Sequence, residues 1–147
     1  MSHVRQQIRD AVVTALTGLT TTSTRVFKSR VYPFESGKLP ALIVYTKSET
    51  STNETMTRPR TQLRVLEVMV ECYVMANTNF DNTIDTIAVE VEEALYQNIT
   101  LGGKAKDINT VAFESDYSGD GEQVVGVGRF TVEVTYSTRE NDVESAA

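Results

Sequence analysis

Apolar residues recur at helical spacing in two stretches of the chain, residues 3–16 and residues 82–99. The first stripe comprises Val4, Ile8, Ala11, Val12, Ala15 and Leu16, and the second comprises Ile84, Ile87, Ala88, Val91, Leu95 and Ile99. Spacings of three and four residues place these side chains on one face, so each stretch predicts an amphipathic helix. We expect Ser2 to cap the first helix and Gly18 to end it. We expect Asn82 to cap the second helix.

Alternating or wholly apolar runs predict five strands, at residues 25–31, 41–46, 62–75, 108–117 and 124–137. The run at 41–46 is apolar on both faces, which is typical of a strand in the interior of a sheet. The last two strands are separated by a short segment of Gly and Asp, so they form a predicted hairpin. This order of elements predicts an α+β domain, in which two helices pack on one face of a mostly antiparallel sheet.

The longest predicted strand, residues 62–75, has two different faces. One face is wholly apolar, and we expect it to lie beneath the helices; it comprises Leu66, Val68, Val70, Cys72 and Val74. The other face mixes carboxylates with Met and Tyr side chains; it includes Glu67, Met69, Glu71 and Tyr73. Such a mixture is typical of a surface that a partner covers, so these four residues are candidate interface residues.

The segment 46–61 has no apolar periodicity, and eight of its sixteen residues are Ser or Thr. Its length and composition predict a long loop or an exposed hairpin arm, which in a compact domain is often functional. Arg58 and Arg60 flank Pro59 near its end. Two hypotheses remain open: these charges keep a solvated loop soluble, or they form a basic tip that docks on an acidic neighbour.

The chain has 147 residues, and 40% of them are hydrophobic. These values predict one domain, residues 1–138, followed by an acidic tail, residues 139–147, which we expect to be disordered. The N-terminal residues lack the apolar segment of a signal peptide, and no apolar run reaches the length of a membrane span. We therefore expect a protein that is made and used in a cytoplasm and has no membrane partner.

The net charge of −6 argues against general binding to nucleic acid. Its distribution is uneven. Residues 1–60 carry nine Lys and Arg against four Asp and Glu, a charge of +5, whereas residues 61–147 carry five against sixteen, a charge of −11. Two differently solvated faces would explain this asymmetry. Head-to-tail contacts between copies, in which a basic patch meets an acidic one, would explain it as well.

Candidate chemistry is sparse. The chain has one cysteine, Cys72, and one histidine, His3, which are too few for a zinc site. Cys72 alternates with valines and is interpreted as a core residue. Asp116 begins a sequence similar to the first half of a calcium loop, but the twelfth position is Val127 instead of Glu, so a turn is favoured. We expect no catalytic residue, no cofactor and no metal site.

The sequence Arg-Val-Phe-Lys-Ser-Arg-Val-Tyr-Pro-Phe-Glu-Ser-Gly-Lys-Leu-Pro-Ala-Leu-Ile-Val-Tyr, residues 25–45, follows the N-terminal helix. This order of a helix, a basic strand broken at a proline, and a buried strand resembles the tail terminator (minor tail protein U-like) family of long-tailed bacteriophages. The resemblance covers residues 3–138 and is clearest at residues 4–16 and 25–46.

The resemblance implies a structural virion protein that forms a homohexameric ring on the head-proximal end of the tail. Such a ring stops polymerisation of the major tail tube protein and presents a surface for the head–tail connector protein. DNA passes through its lumen without specific binding.

Two alternatives remain open at this stage. One is a head–tail connector or tail-completion protein of related fold. The other is a small-molecule-binding or enzymatic α+β domain, for which the sequence offers no polar constellation. From the residues themselves, the candidate interface comprises Arg58, Arg60, Glu67, Met69, Glu71 and Tyr73.

Overall fold

The alternating and periodic stretches fold into two helices and a five-stranded sheet. The computed structural model describes residues 2–23, 25–27, 40–75, 80–118 and 125–146. The elements in chain order are α1 (Val4–Leu16), β1 (Val26–Phe27), β2 (Ala41–Asn53), β3 (Thr61–Met75), α2 (Phe80–Tyr96), β4 (Asp107–Ser118) and β5 (Val125–Arg139). The predicted α+β class is confirmed, with both helices and five strands in the expected order.

The strands lie in the order β1-β2-β3-β5-β4. β1 runs parallel to β2, and every other neighbouring pair is antiparallel. β3 is the central strand, and its pairing with β5 is unbroken from Thr61 opposite Arg139 to Met75 opposite Val125. Because paired residues point to the same face, one register fixes the composition of both faces of the sheet.

Both helices pack on one face of the sheet and enclose the main core. All five residues of the predicted apolar face of β3 are buried there: Leu66, Val68, Val70, Cys72 and Val74. The helices contribute the residues of their predicted stripes, including Val4, Ile8, Val12 and Leu16 from α1 and Ile84, Ile87, Val91 and Leu95 from α2. The predicted helix-packing face is therefore confirmed.

Gly128 of β5 lies beneath α2, beside Ile84. A Cβ atom at this position would stand 2.8 Å from Cys72 Sγ and 2.8 Å from Ile84 Cγ2. Only a residue without a side chain fits this gap, so the glycine permits the helix to pack on β3 and β5. The pairing of β4 with β5 has one irregularity, in β4, where the register shifts between Thr110 and Ala112.

Three predicted helix ends are wrong by one or a few residues. His3, and not Ser2, caps α1: its Nδ1 atom accepts a hydrogen bond from the backbone N–H of Arg5 at 3.0 Å. An imidazole acceptor replaces the usual hydroxyl. Thr17 is the C-terminal cap, and Gly18 follows it with a φ of +93°. α2 begins before Asn82, which therefore lies inside the helix.

β2 is longer than predicted, and the long extended arm is not confirmed. The strand continues past Thr46 to Asn53, with one register shift between Thr46 and Ser48. The Ser and Thr residues from Thr46 to Thr52 suit a strand, because each of them pairs with a residue of β3. The turn is thereby shortened to residues 54–60. Most of the predicted strand 25–31, and the predicted turn before β5, lie outside the described residues.

The C-terminal segment returns to the start of α1. The backbone N–H of Val4 donates to the carbonyl of Val143 at 2.9 Å, and the Gln7 side chain donates to the carbonyl of Glu144 at 2.8 Å. These bonds satisfy donors near the helix N-terminus, which have no partner within the helix. The single domain over residues 1–138 and the disorder of residues 139–147 in solution stay predictions.

Candidate assembly interface

The four candidate residues of β3 lie together on the open face, the name used here for the side of the sheet opposite α1 and α2. Met69, Glu71 and Tyr73 are buried, whereas Glu67 is half-buried. Tyr73 belongs to a second apolar cluster on this face, together with Ile43 and Val127. The structure brings these residues together within one strand; their role in a subunit contact stays a prediction.

Glu71 is the most enclosed carboxylate of the open face, with only 3% of the residue exposed. The Tyr73 hydroxyl donates to one carboxylate oxygen at 2.5 Å, and the Tyr45 hydroxyl donates to the other. Arg129 Nε lies 3.6 Å from that second oxygen. A buried charge requires such partners, and here the chain itself supplies them. Tyr45 and Arg129 were missed from the sequence, since only the strand register shows that they flank Glu71.

Glu67 lies nearer the start of β3, in a more solvated part of the open face. It accepts a hydrogen bond from the Ser48 hydroxyl at 2.7 Å. The residue directly opposite Glu67 on β5 is Glu133. Two like charges in one cross-strand pair repel each other, so this position favours a cation or a basic partner surface.

The other candidate residues belong to the hairpin tip, residues 54–60, which joins β2 to β3. Arg58 extends into solvent, and its guanidinium lies 3.6 Å from Glu140. Arg60 is half-buried; its backbone N–H donates to the Glu140 carboxylate at 3.0 Å, and its carbonyl accepts from the backbone of Glu140 at 2.9 Å. Met56, which the sequence reasoning passed over, is 86% exposed at the same tip. The tip is thus fixed at its base, while the side chains of Met56 and Arg58 remain accessible.

A further exposed surface was missed from the sequence. We define the α2–β4 surface as the solvent-facing sides of α2 and β4. It exposes four large apolar side chains: Val89, Tyr96, Val111 and Phe113. The signal was present, because Val89 and Tyr96 are apolar residues that fall outside the buried stripe of α2. The carboxylates Glu92 and Glu93 lie between these two residues in the sequence and by themselves indicate a solvated face.

A half-buried polar cluster connects α1 to the sheet on the helix-covered side. Glu49 lies 2.8 Å from the guanidinium of Arg5 and 3.3 Å from that of Arg64, and it also accepts a hydrogen bond from the Tyr136 hydroxyl. Burial raises the pKa of Tyr136, and its hydrogen bond to Glu49 adds to the effect. Burial also lowers the pKa of His3, aided by the nearby charges of Arg5 and Arg64.

Cys72 and His3 hold structural positions. Burial raises the pKa of the Cys72 thiol to about 12, so the nucleophilic thiolate is scarce at neutral pH. His3 uses its ring nitrogen to cap α1. Within the described ranges, no group of three or more His, Cys, Asp or Glu residues is arranged to hold a metal ion. No helix in the described part of the chain has the length and apolar content needed to cross a membrane.

The fold has a counterpart among solved structures. A chain in the virion of a native gene transfer agent particle matches with a TM-score of 0.52, and the match covers 92% of both chains. Its sequence identity of 17% shows a shared fold and nothing further. No curated protein matches the sequence.

The family comparison is more informative than the structural one, because it rests on the sequence across almost the whole chain. Residues 3–136 match the family model described as phage minor tail protein U. The matched range begins at the cap of α1 and ends within β5, so it includes every helix and strand described above except the last three residues of β5. The chain therefore belongs to the phage minor tail protein U family and is a structural protein of a phage tail.

Proposed function

We propose that this protein is the tail terminator, a subunit that forms a closed homo-oligomeric ring, most simply a hexamer, on the head-proximal end of the tail tube. The ring stops addition of the major tail tube protein and offers its other side to the head–tail connector protein. The role is structural and involves no catalysis or cofactor. DNA passes through the lumen without specific binding, in keeping with the net charge of −6.

One observation carries the ring: the two edges of the sheet differ in charge. β4 forms one edge of the strand order β1-β2-β3-β5-β4 and contains three acidic residues and no Lys or Arg, whereas β1 at the other edge carries no charge. Residues 1–60, to which β1 and β2 belong, have a net charge of +5 in the sequence, against −11 for residues 61–147. Two β4 edges repel each other, so copies of this subunit associate head to tail, and head-to-tail contacts close into rings when the rotation permits.

Tail length tests the terminating activity. In a phage whose copy of this gene is inactivated, we expect tube polymerisation to continue past the normal end, since nothing caps the tube. Electron microscopy of lysates measures the length distribution, and the wild-type gene supplied in trans should restore one narrow length. Tails of normal, uniform length in the absence of the protein would contradict the terminator role.

A binding comparison separates this role from that of a connector or tail-completion protein of related fold. Purified protein is mixed with purified tail tubes or with purified filled heads, and the bound fraction is measured after sedimentation. A terminator binds tubes in the absence of heads. Binding to filled heads alone would favour the connector role. Binding to neither would contradict both roles and favour an unrelated activity.

A further inference from the structure

The exposed apolar residues of the described chain are concentrated at two places. The α2–β4 surface exposes Val89 by 55%, Tyr96 by 75%, and Val111 and Phe113 by 45% each. The remaining one, Met56, lies at the hairpin tip. Exposed apolar side chains that cluster on one surface are typical of an interaction site, whereas single ones are not. The α2–β4 surface therefore has the character of a docking site.

A groove opens at this surface between the end of α2 and the beginning of β4. It has a volume of about 200 Å³ and is lined by Glu92, Leu95, Tyr96, Ile99 and Ile108, among others. A methionine suits such a groove, because its unbranched thioether fills irregular apolar space and makes favourable contacts with an aromatic ring. Met56 is 86% exposed at the hairpin tip.

The charges of the two places are complementary. α2 contains no Lys or Arg and five acidic residues, Asp81, Asp85, Glu90, Glu92 and Glu93, of which Glu92 lines the groove. The hairpin tip presents Arg58, whose side chain is 70% exposed. Its own partner, Glu140, lies 3.6 Å away, and an exposed pair of this kind contributes little to stability. Arg58 is consequently available for a stronger acidic partner.

We propose that the hairpin tip of one subunit docks on the α2–β4 surface of the next subunit, with Met56 in the groove beside Tyr96 and Arg58 against Glu92. The inference rests on the proposed ring and names the residues through which neighbouring subunits of the ring contact each other. Tip and groove are different parts of the same chain, so each subunit donates a tip on one side and accepts one on the other. Such heterologous contacts propagate around a closed ring.

Disulfide trapping tests this contact directly. Met56→Cys and Tyr96→Cys subunits are purified separately, mixed on tail tubes and oxidised. Cys72 can remain in both, because its buried thiol has a pKa of about 12 and is unreactive. We expect covalent dimers from the mixture and none from either variant alone. Met56→Cys mixed with Thr14→Cys, an exposed position on α1, is the matched control and should give no dimer.

The outcomes distinguish the contact from the ring. Subunits that co-sediment with tubes as an oligomer without trapped dimers would overturn this contact and leave the terminator role standing. Subunits that never associate on tubes would overturn both. Trapping with Thr14→Cys as efficient as with Tyr96→Cys would show non-specific collision and overturn the contact as well.

A charge exchange supplies a second, independent readout. Arg58→Glu should lower the amount of oligomer on tubes by about tenfold or more, because it places a carboxylate against Glu92. Glu92→Arg alone should have a similar effect, and the double variant should recover to within about threefold of wild type. If Arg58→Glu lowers tube binding and Glu92→Arg fails to restore it, the tip contacts the tube protein instead, which would overturn the proposal.

Discussion

Two carboxylates, Glu49 and Glu71, lie on opposite faces of the sheet, and the same types of side chain hold each of them. Glu49 accepts from the Tyr136 hydroxyl and pairs with Arg64, and Glu71 accepts from two tyrosines and faces Arg129. Each carboxylate satisfies donors that would otherwise be buried without a partner. These residues therefore specify how strands and helix fit together, and loss of either carboxylate would leave a nearby cation unpaired.

Val70 tests the assignment of the sheet faces. It is fully buried, and its cross-strand partners are Val44 and Phe130. Val70→Asp would bury an unpaired charge, so we expect it to lower the free energy of unfolding by about 4 kcal/mol or to prevent folding. Val111→Asp, on an exposed position of β4, is the control and should change it by about 0.5 kcal/mol. A soluble Val70→Asp protein with an unchanged melting temperature would show that the face is misassigned.

His3 gives a prediction for the pH dependence of stability. Its folded pKa is lowered from 6.5, mainly by burial and then by Arg5 and Arg64, so the unfolded chain binds a proton more readily than the folded one. The cap also requires an unprotonated Nδ1 atom. The contribution of His3 to the free energy of unfolding is therefore fully present above pH 6.5. It is lost as the pH falls from 6.5 through the folded pKa of His3.

His3→Asn separates titration from capping, because Asn is a good cap that does not titrate. We expect this variant to match wild type at pH 7.5 and to lose the decline between pH 6.5 and 5, as measured by chemical unfolding. His3→Ala should cost about 1 kcal/mol at pH 7.5 through loss of the cap. An identical pH profile for wild type and His3→Asn would contradict this account of His3.

At the scale of elements, the β2–β3 hairpin combines a fixed base with an accessible tip. The Glu54 side chain accepts from the Ser137 hydroxyl at 2.9 Å, and the Glu54 backbone N–H donates to the Thr61 carbonyl at 2.7 Å. Beyond this base, residues 54–59 are exposed. A tip that is anchored in this way loses less conformational entropy on docking than a free loop would.

Arg58→Glu combined with Arg60→Glu tests the hairpin tip as an assembly element. We expect the fold to remain intact, because the bonds between Arg60 and Glu140 use the backbone of Arg60 and the Arg58 side chain is largely exposed. Ring formation or tube capping should fail, giving tails of uncontrolled length or tails that do not join heads. Complementation of a phage lacking the gene measures this effect.

Lys47→Glu combined with Lys104→Glu is the matched control, since it changes the net charge by the same amount at positions away from the hairpin tip. It should complement as well as wild type. If the double tip variant complements equally well, Arg58 and Arg60 are only solvated charges and the hairpin tip is not an assembly contact.

Periodicity was sufficient to predict the helices and the buried face of β3, because burial of one face imposes spacing on the sequence. It failed at β2, where Ser and Thr side chains pair with β3 without any apolar signal of their own. The cap at His3 was missed because a histidine rarely serves as the acceptor. The spacing of apolar residues thus predicts the elements that bury one face in the core. It does not predict a strand whose residues are held by pairing with a neighbouring strand.

The candidate site was predictable only in part, for a similar reason. Glu71 was recognised as an unusual residue of β3, but Tyr45 and Arg129 reach it through the register of two other strands. The α2–β4 surface was missed because its members are far apart in the sequence and become neighbours only when α2 packs beside β4. Contacts between elements depend on the strand order and register. The spacing of residues within one element does not determine either of them.

For the whole molecule, the strand order gives the sheet two different edges. β4 contains three acidic residues and no Lys or Arg, whereas β1 at the opposite edge carries no charge. Two β4 edges would repel each other, so this difference favours head-to-tail association over symmetric pairing through β4. The proposed terminator ring is the simplest closed assembly of such a subunit.

The central claim is most directly tested by a reconstruction of the head-proximal end of tails purified from the phage that carries this gene. The account predicts a single closed ring of this subunit, most simply of six copies, seated on the last ring of the tube protein. Light scattering of the free protein is less decisive, since the ring can require the tube as a template. A reconstruction in which the tube ends without a ring of this subunit would contradict the account.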